Sequence, residues 1–475
     1  MSEPLAVLSL AAGAGGGRVD GLDAGALVAA GFTLLQRSAP LVRALAGRRA
    51  AILLPTSPAF VTALAAADGR GAVLVNPLAA PPEIVHQLAD AGVGAVFTNA
   101  ALAARLPADV ATVLLDDAPR TATVRVGGGA TQVDLGAHFG LSLSGRGDAS
   151  GRDEEAAIVY TSAMAGTPLG AVLSHRNLLA NARSCVTAMG IVADDHFLAV
   201  LPYSHLFGLT VTDTAPLLAG ARVTTMARFN PARALDALRR DVTVLVAVPA
   251  VFHALLALVE RAGGTLRAPA LRLAVSGGAV LPRETEDRWF AATGVELRQG
   301  YGLTEAAPVC LFNRVDRPNV RGSLGHPFPD VEVAIRDPHG AGPVPPGAEG
   351  EICVRGENVF RGYVGGGAAG LPVRDGWLHT GDLGVAAADG SVEFRGRCKP
   401  MFTRNGFNVY PREIERVVGA MPGVERVRVR AVPEPAREND IALEVRGAVA
   451  AADVRRWCEE RLSAYKQPSV VTVGG

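Results

Sequence analysis

Seven residues, Gln299-Gly300-Tyr301-Gly302-Leu303-Thr304-Glu305, set a hydroxyl beside a carboxylate, just behind a tyrosine flanked by glycines. Gly300 and Gly302 let the backbone approach a ligand closely or take positive φ. Thr304 can bond a phosphate oxygen, and Glu305 offers hard oxygens to a magnesium ion. A second candidate is Thr161-Ser162-Ala163-Met164-Ala165-Gly166-Thr167-Pro168-Leu169-Gly170, between two short apolar runs. A phosphate loop could sit there, and so could a plain hairpin. His205, inside Pro202–Leu209, stands in apolar surroundings, where a histidine either completes a core or faces a ligand. In Trp377-Leu378-His379-Thr380-Gly381-Asp382 a carboxylate follows a threonine by two residues. That pattern shapes a turn or grips ribose hydroxyls.

The surrounding elements would bring these groups together. Ala50–Leu54, Ala72–Val75 and Ala95–Phe97 are short apolar runs, with helical spacing over Pro58–Ala67 and Pro82–Ala91 between them. Strands alternating with helices predict a parallel sheet covered by helices. The theme returns with Ala156–Tyr160, Ala171–Leu173, a helix that Ser174 can cap, Leu198–Leu201, Val242–Val248, a helix from Pro249 to Glu260, and Leu271–Val275. The last runs into Ser276-Gly277-Gly278-Ala279, and ligands gather outside the carboxyl ends of such strands. Residues 117–152 read as loops with short strands. Past Val320, the alternating runs Val331–Arg336, Gly350–Arg355 and Ser391–Arg395 predict a small antiparallel β subdomain. From Met401 a helix opening at Pro411, strands around Val424–Val432 and Ile441–Val445, and a helix near Ala452–Leu462 predict a small α+β unit.

The bulk numbers narrow the function classes. The 475 residues are 49% hydrophobic and 19% charged, enough apolar matter for a large core. With 46 basic against 46 acidic side chains there is no charge excess to suggest nucleic acid or an anionic membrane. No apolar run reaches about 18 residues, so no membrane span is expected. Five scattered cysteines, without a CxxC or a neighbouring histidine, read as reduced thiols in a cytoplasmic protein and not as a zinc site. The start of the chain lacks the basic region of a signal peptide. The only lysines are Lys399 and Lys466.

Taken in order, Ser276–Ala279, Gln299–Glu305, Trp377–Asp382, Gly396-Arg397-Cys398-Lys399 and Asn405-Gly406-Phe407-Asn408-Val409-Tyr410-Pro411-Arg412-Glu413-Ile414-Glu415 resemble the adenylate-forming superfamily, which holds acyl-CoA synthetases, aryl-CoA ligases, peptide-synthetase adenylation domains and luciferases. The resemblance runs from about Ala50 to Pro468. It implies an α/β fold. A large N-terminal body of several subdomains, with parallel sheets, helices and a small β-barrel-like part, would cover 1–397. A small mobile α+β domain would cover 398–475, with a hinge near 399–400. The implied chemistry joins a carboxylic acid to ATP as an acyl-adenylate, then passes the acyl group to a thiol, that of coenzyme A or of a carrier protein. By the same resemblance Gly277, Gly278 and Ala279 wall the adenine and acyl pocket, and Tyr301 stacks on adenine. Thr304 contacts phosphate, Glu305 holds Mg2+, Asp382 and Arg397 hold the ribose, and His205 lies beside the acyl group. Thr304, Glu305 and His205 are thus the catalytic candidates. Thr161, Ser162, Gly166, Gly302, Lys399 and Gly406 complete the implied nucleotide site for ATP or AMP.

The chain also departs from that pattern. The family's phosphate loop carries a glycine where Ala163 stands, hydroxyls where Met164 and Ala165 stand, and a lysine where Leu169 stands. Losing one charge-assisted bond costs roughly 1.5–3 kcal/mol, so adenylation is expected to be weakened. Pro400 replaces the usual hinge aspartate. The family's adenylating lysine lies beyond a Tyr-Lys-x-Pro segment, matched by Tyr465–Pro468, and the sequence stops at Gly475 before it. The expected function is an acyl-CoA synthetase acting on an aryl or medium-chain acid. Two alternatives stand beside it: an acyl-transfer or amide-forming enzyme that needs no ATP, and a non-catalytic binder of acyl-CoA or nucleotide.

Overall fold

The computed structural model describes residues 16–67, 71–136, 154–161, 168–338, 342–366, 372–398, 401–434 and 437–474. Two nine-stranded sheets form the body. In the first, Leu297–Gly302, Leu273–Ser276, Val244–Ala247, His196–Ala199, Arg222–Thr225 and Arg18–Val19 run parallel. In the second, Glu155–Thr161, Ala72–Leu74, Arg49–Leu53, Val93–Thr98 and Ala111–Leu115 do so. These strands read as continuous apolar runs because helices cover both faces and leave no side for polar residues. Side chains such as Ile52, Phe97, Phe197 and Phe252 are fully buried between sheet and helices.

Sequence signals set the local boundaries. Ser174 accepts from the Asn177 amide, and Asn177 returns the bond to the Ser174 amide, so the helix His175–Met189 starts where the cap predicts and stops at left-handed Gly190. The alternation read from residue 50 onward is preceded by a hairpin, Arg18–Asp23, and a helix, Ala24–Arg37, both outside that reading. Part of the segment read as irregular is an ordered hairpin, Thr121–Val126 with Gly129–Asp134. The turn between its strands is two glycines at positive φ.

A five-stranded antiparallel sheet follows, built on Val331–Arg336, Glu349–Gly356, Trp377–Ala386 and Val392–Arg397. The segment after it has its own apolar core, with Val409, Ile414, Ile441, Leu443 and Val454 at its centre. The helices Pro411–Gly419 and Ala451–Arg461 there pack on the sheet of Val424–Glu434, Glu438–Gly447 and Val470–Gly474. Among the described residues no helix is long and apolar enough to cross a membrane.

Asp213 lies fully buried on the π-helical turn Phe207–Thr214, and burial pushes its carboxyl up to about 7 from an ordinary value near 3.8. The folded state thus holds the proton more tightly than the unfolded chain, and the stability it contributes falls as pH rises between those values. Asp213→Asn is expected to raise the melting temperature at pH 8 and to change it little at pH 4. The full effect is bounded by about 4 kcal/mol, and thermal unfolding across that pH range measures it.

Candidate active site

One cavity of about 1500 Å³ opens where the first sheet, the second sheet, the antiparallel sheet and the terminal segment meet. That exceeds the ~300–1,000 Å³ of a site for one small ligand, so there is room for two groups side by side. Gly277, Gly278 and Ala279, leaving the strand Leu273–Ser276, line it together with Tyr301, Gly302, Thr304 and Glu305. Thr161, His205, Asp382, Arg397 and Gly406 line it as well. The fold therefore brings together in one wall every candidate residue within the described part of the chain. Ser162, Gly166 and Lys399, with Ala163, Met164, Ala165 and Pro400, lie outside the described residues.

Tyr301 donates its hydroxyl to Asp382 Oδ2 at 2.8 Å, and Arg397 Nε donates to Asp382 Oδ1 at 3.0 Å. Burial pushes the Asp382 carboxyl up, and the Arg397 charge and the Tyr301 bond pull it back without cancelling the effect. Glu305 sits on the short turn Thr304–Ala306, also pushed up by burial, and its Oε1 accepts from the Tyr363 hydroxyl at 2.9 Å. Glu305 and Asp382 are the acidic groups among the described residues of the cavity wall. Asp382 is engaged on both oxygens, so Glu305 is the oxygen donor better placed for a divalent cation. The strands on either side of the candidate phosphate loop pair antiparallel, with Thr161 opposite Leu169, and both residues line the cavity.

Burial lowers the value of His205, and its ring packs edge-on to Phe407 at 5.8 Å. Phe407 in turn stacks on Tyr465 at 4.4 Å. Gly406 takes φ +77°, and a Cβ there would meet Val248 at 2.6 Å, so the terminal segment seats directly against the body. Beyond this contact Lys466 Nζ bridges Glu83 Oε1 at 2.8 Å and Glu413 Oε1 at 2.7 Å, and Ser463 also bonds Glu83. Burial disfavours the ammonium, yet Tyr465, Glu413 and Glu83 together push Lys466 above its ordinary value. Phe207, Val211, Val248, Val251 and Val275 give the cavity an apolar lining.

Three expectations need correction. Neither Gly300 nor Gly302 has positive φ. A side chain at 302 would overlap the Pro308 carbonyl of the chain itself, so close backbone packing, and not a ligand, requires that glycine. A histidine does accompany a cysteine: Cys353 pairs with His379 across the antiparallel ladder, which puts Sγ 3.4 Å from Nδ1. With Glu351 these residues bring three ligand atoms within 4.8 Å of one another, a grouping that could hold a metal ion. Distant residues meeting across a sheet leave no spacing signal. Tyr363 and Glu351 escaped the reading for the same reason.

A profile of the family described as AMP-binding enzyme matches residues 41–364. A feruloyl-CoA synthase of Amycolatopsis sp is 33% identical over 449 residues, spanning 90% of this chain and 84% of that protein. A malonyl-CoA ligase solved with methylmalonyl-CoA and AMP bound superposes with TM-score 0.79 at 27% identity, over 97% of this chain and 95% of the other. An amide bond synthetase of Marinactinospora thermotolerans superposes with TM-score 0.83 at 25% identity, over 99% and 95%.

Gly302→Ala is expected to destabilise the fold by about 1–3 kcal/mol or more, because the Pro308 carbonyl must move. Chemical denaturation reads the loss, and an unchanged midpoint would show that the backbone relaxes freely there.

Proposed function

Since the chain belongs to the AMP-binding enzyme family, we propose that it activates a small carboxylic acid as its acyl-adenylate and passes the acyl group to the thiol of coenzyme A. The observation that carries this reading is the meeting of Tyr301, Asp382 and Arg397 in the wall of a cavity that also carries an apolar lining. A ribose needs a carboxylate to accept from its hydroxyls, and an adenine needs an aromatic face. The apolar lining, with Phe207, Val211, Val251 and Val275, suits an aryl or medium-chain acyl group.

In the first step a carboxylate oxygen of the acid attacks the α-phosphorus of ATP; that O–P bond forms as the bond to the β-phosphate oxygen breaks, and pyrophosphate leaves. Thr304, in the cavity wall, would donate to a phosphate oxygen, and positioning with charge stabilisation supplies most of the rate in such transfers. Glu305 would hold Mg2+, whose chemistry there would be to offset negative charge on phosphate. In the second step the thiol sulfur attacks the acyl carbonyl, the C–S bond forms, the C–O bond to AMP breaks, and the thiol proton goes to solvent or to a cavity base. His205, lowered by burial and so neutral near pH 7, can accept it. The terminal segment 398–475 is read as a separate domain hinged near 399–400. Its own core supports this, and the Lys466 bridge to Glu83 joins it to the body. Buried thiols at Cys185, Cys310, Cys353 and Cys458 suit a cytoplasmic enzyme.

Incubation with ATP, Mg2+, coenzyme A and a panel of aryl and medium-chain acids is expected to yield the acyl-CoA and AMP in equal amounts. Absence of both for every acid would overturn the reading. The fold likeness to an amide bond synthetase favours a second acceptor, and replacing coenzyme A by an amine separates the two through the product formed.

Leu169 lines the cavity at the position where the family carries a lysine, so that position offers no charge to the β- and γ-phosphates. AMP is therefore expected to bind more tightly than ATP in calorimetry. Leu169→Lys, alone or with Ala163→Gly, Met164→Ser and Ala165→Thr, is expected to raise pyrophosphate exchange roughly tenfold or more, the worth of one charge-assisted bond. ATP binding at least as tight as AMP in the unaltered protein would show that the loop works as it stands.

A further inference from the structure

The strands Glu349–Gly356 and Trp377–Ala386 pair as an ordinary antiparallel ladder except at one place. Glu351 stands opposite Leu383, and Cys353 stands opposite His379. Between these pairs the single residue Ile352 faces Thr380, Gly381 and Asp382. The second strand thus carries an enlarged bulge, and Asp382 is its last residue. A bulge re-aims a side chain but strands backbone donors and acceptors that the ladder would have paired.

Side chains replace the missing bonds here. The Ile352 carbonyl accepts from Thr380 Oγ1 at 2.8 Å, and the same hydroxyl accepts from the Asp382 amide at 3.1 Å. The Gly381 amide, at φ +76°, donates to Glu351 Oε1 at 2.8 Å. The other oxygen, Glu351 Oε2, takes His379 Nδ1 at 2.7 Å. One carboxylate therefore clamps the residues on both sides of Thr380, from a side chain that is nearly fully buried. The bulge also returns the Gly381 carbonyl to the Cys398 amide at 2.8 Å, which ties it to the strand end bearing Arg397.

We propose that Glu351 is a positioning residue for nucleotide recognition: by accepting from the Gly381 amide and the His379 imidazole it holds the bulge that presents Asp382 to the ribose hydroxyls. This inference rests on the adenylate reading of the same cavity. Glu351 does not line the cavity, so its effect passes through Asp382 and falls on ligands with ribose hydroxyls.

The test compares AMP with 2′,3′-dideoxy-AMP by calorimetry. The unaltered protein is expected to prefer AMP by about tenfold or more, the worth of a charge-assisted hydrogen bond. Glu351→Met, which keeps the length and removes the acceptor, is expected to bring that preference down to within about twofold of unity while affinity for the dideoxy analogue stays near its original value. Glu351→Gln retains an oxygen for Gly381 and is expected to keep the preference within about threefold of the original. Thr380→Val, isosteric and lacking the hydroxyl, should act as Glu351→Met does, and it carries the test if a Glu351 variant does not fold. A folded Glu351→Met or Thr380→Val protein with the original preference would overturn the proposal. So would a Glu351→Gln protein that loses the preference as fully as Glu351→Met. If the unaltered protein binds AMP and the dideoxy analogue equally, the ribose role of Asp382 fails and this proposal falls with it, an outcome plainly distinct from the other two.

Discussion

Asp382 holds the architecture of the cavity together by accepting from two directions at once. Tyr301 comes from the end of a parallel strand of the body, Arg397 from the last strand before the terminal segment, and Asp382 from a bulge between them. Three strands of different origin thus share one buried carboxylate. Desolvation works against that charge, so the bonds from Tyr301 and Arg397 must recover much of what burial costs, and neither partner can be displaced far without exposing the other's loss. The position of this part of the cavity wall is consequently fixed by electrostatics as much as by packing.

The same constraint shapes the rest of the wall. Glu305 is buried and carries a partner, Tyr363, whose hydroxyl bond keeps the carboxylate from standing alone. His205 answers burial in the opposite way, by losing affinity for its proton. The cavity wall therefore combines partnered carboxylates with an apolar lining, which suits the proposed nucleotide and acyl chain.

Much of this was legible in the chain. Gln299–Glu305, Trp377–Asp382 and the stretch from Gly396 to Glu415 are contiguous, and local motifs survive being read one residue after another. The alternation of strand and helix was legible too, because burial of a parallel sheet on both faces leaves continuous apolar runs. What was hidden depends on contacts between residues far apart. Glu351 meets Gly381 and His379 across a ladder whose bulge no periodicity announces. Tyr363 reaches Glu305 from another sheet, and Lys466 finds Glu83 across 383 positions of chain. Gly302 misled for a different reason: a glycine required by neighbouring backbone looks in sequence the same as one required by a ligand.

An acyl-adenylate is an electrophile that any free amine nearby can intercept. Arginine, always protonated and delocalised, is a poor nucleophile, and this chain carries its positive charge almost entirely on arginine. Of its two lysines, Lys466 is clamped between two carboxylates and held as an ammonium with no lone pair to offer. On the proposed chemistry, the bridge that seats the terminal segment would also keep this amine protonated and unreactive toward an acyl-adenylate.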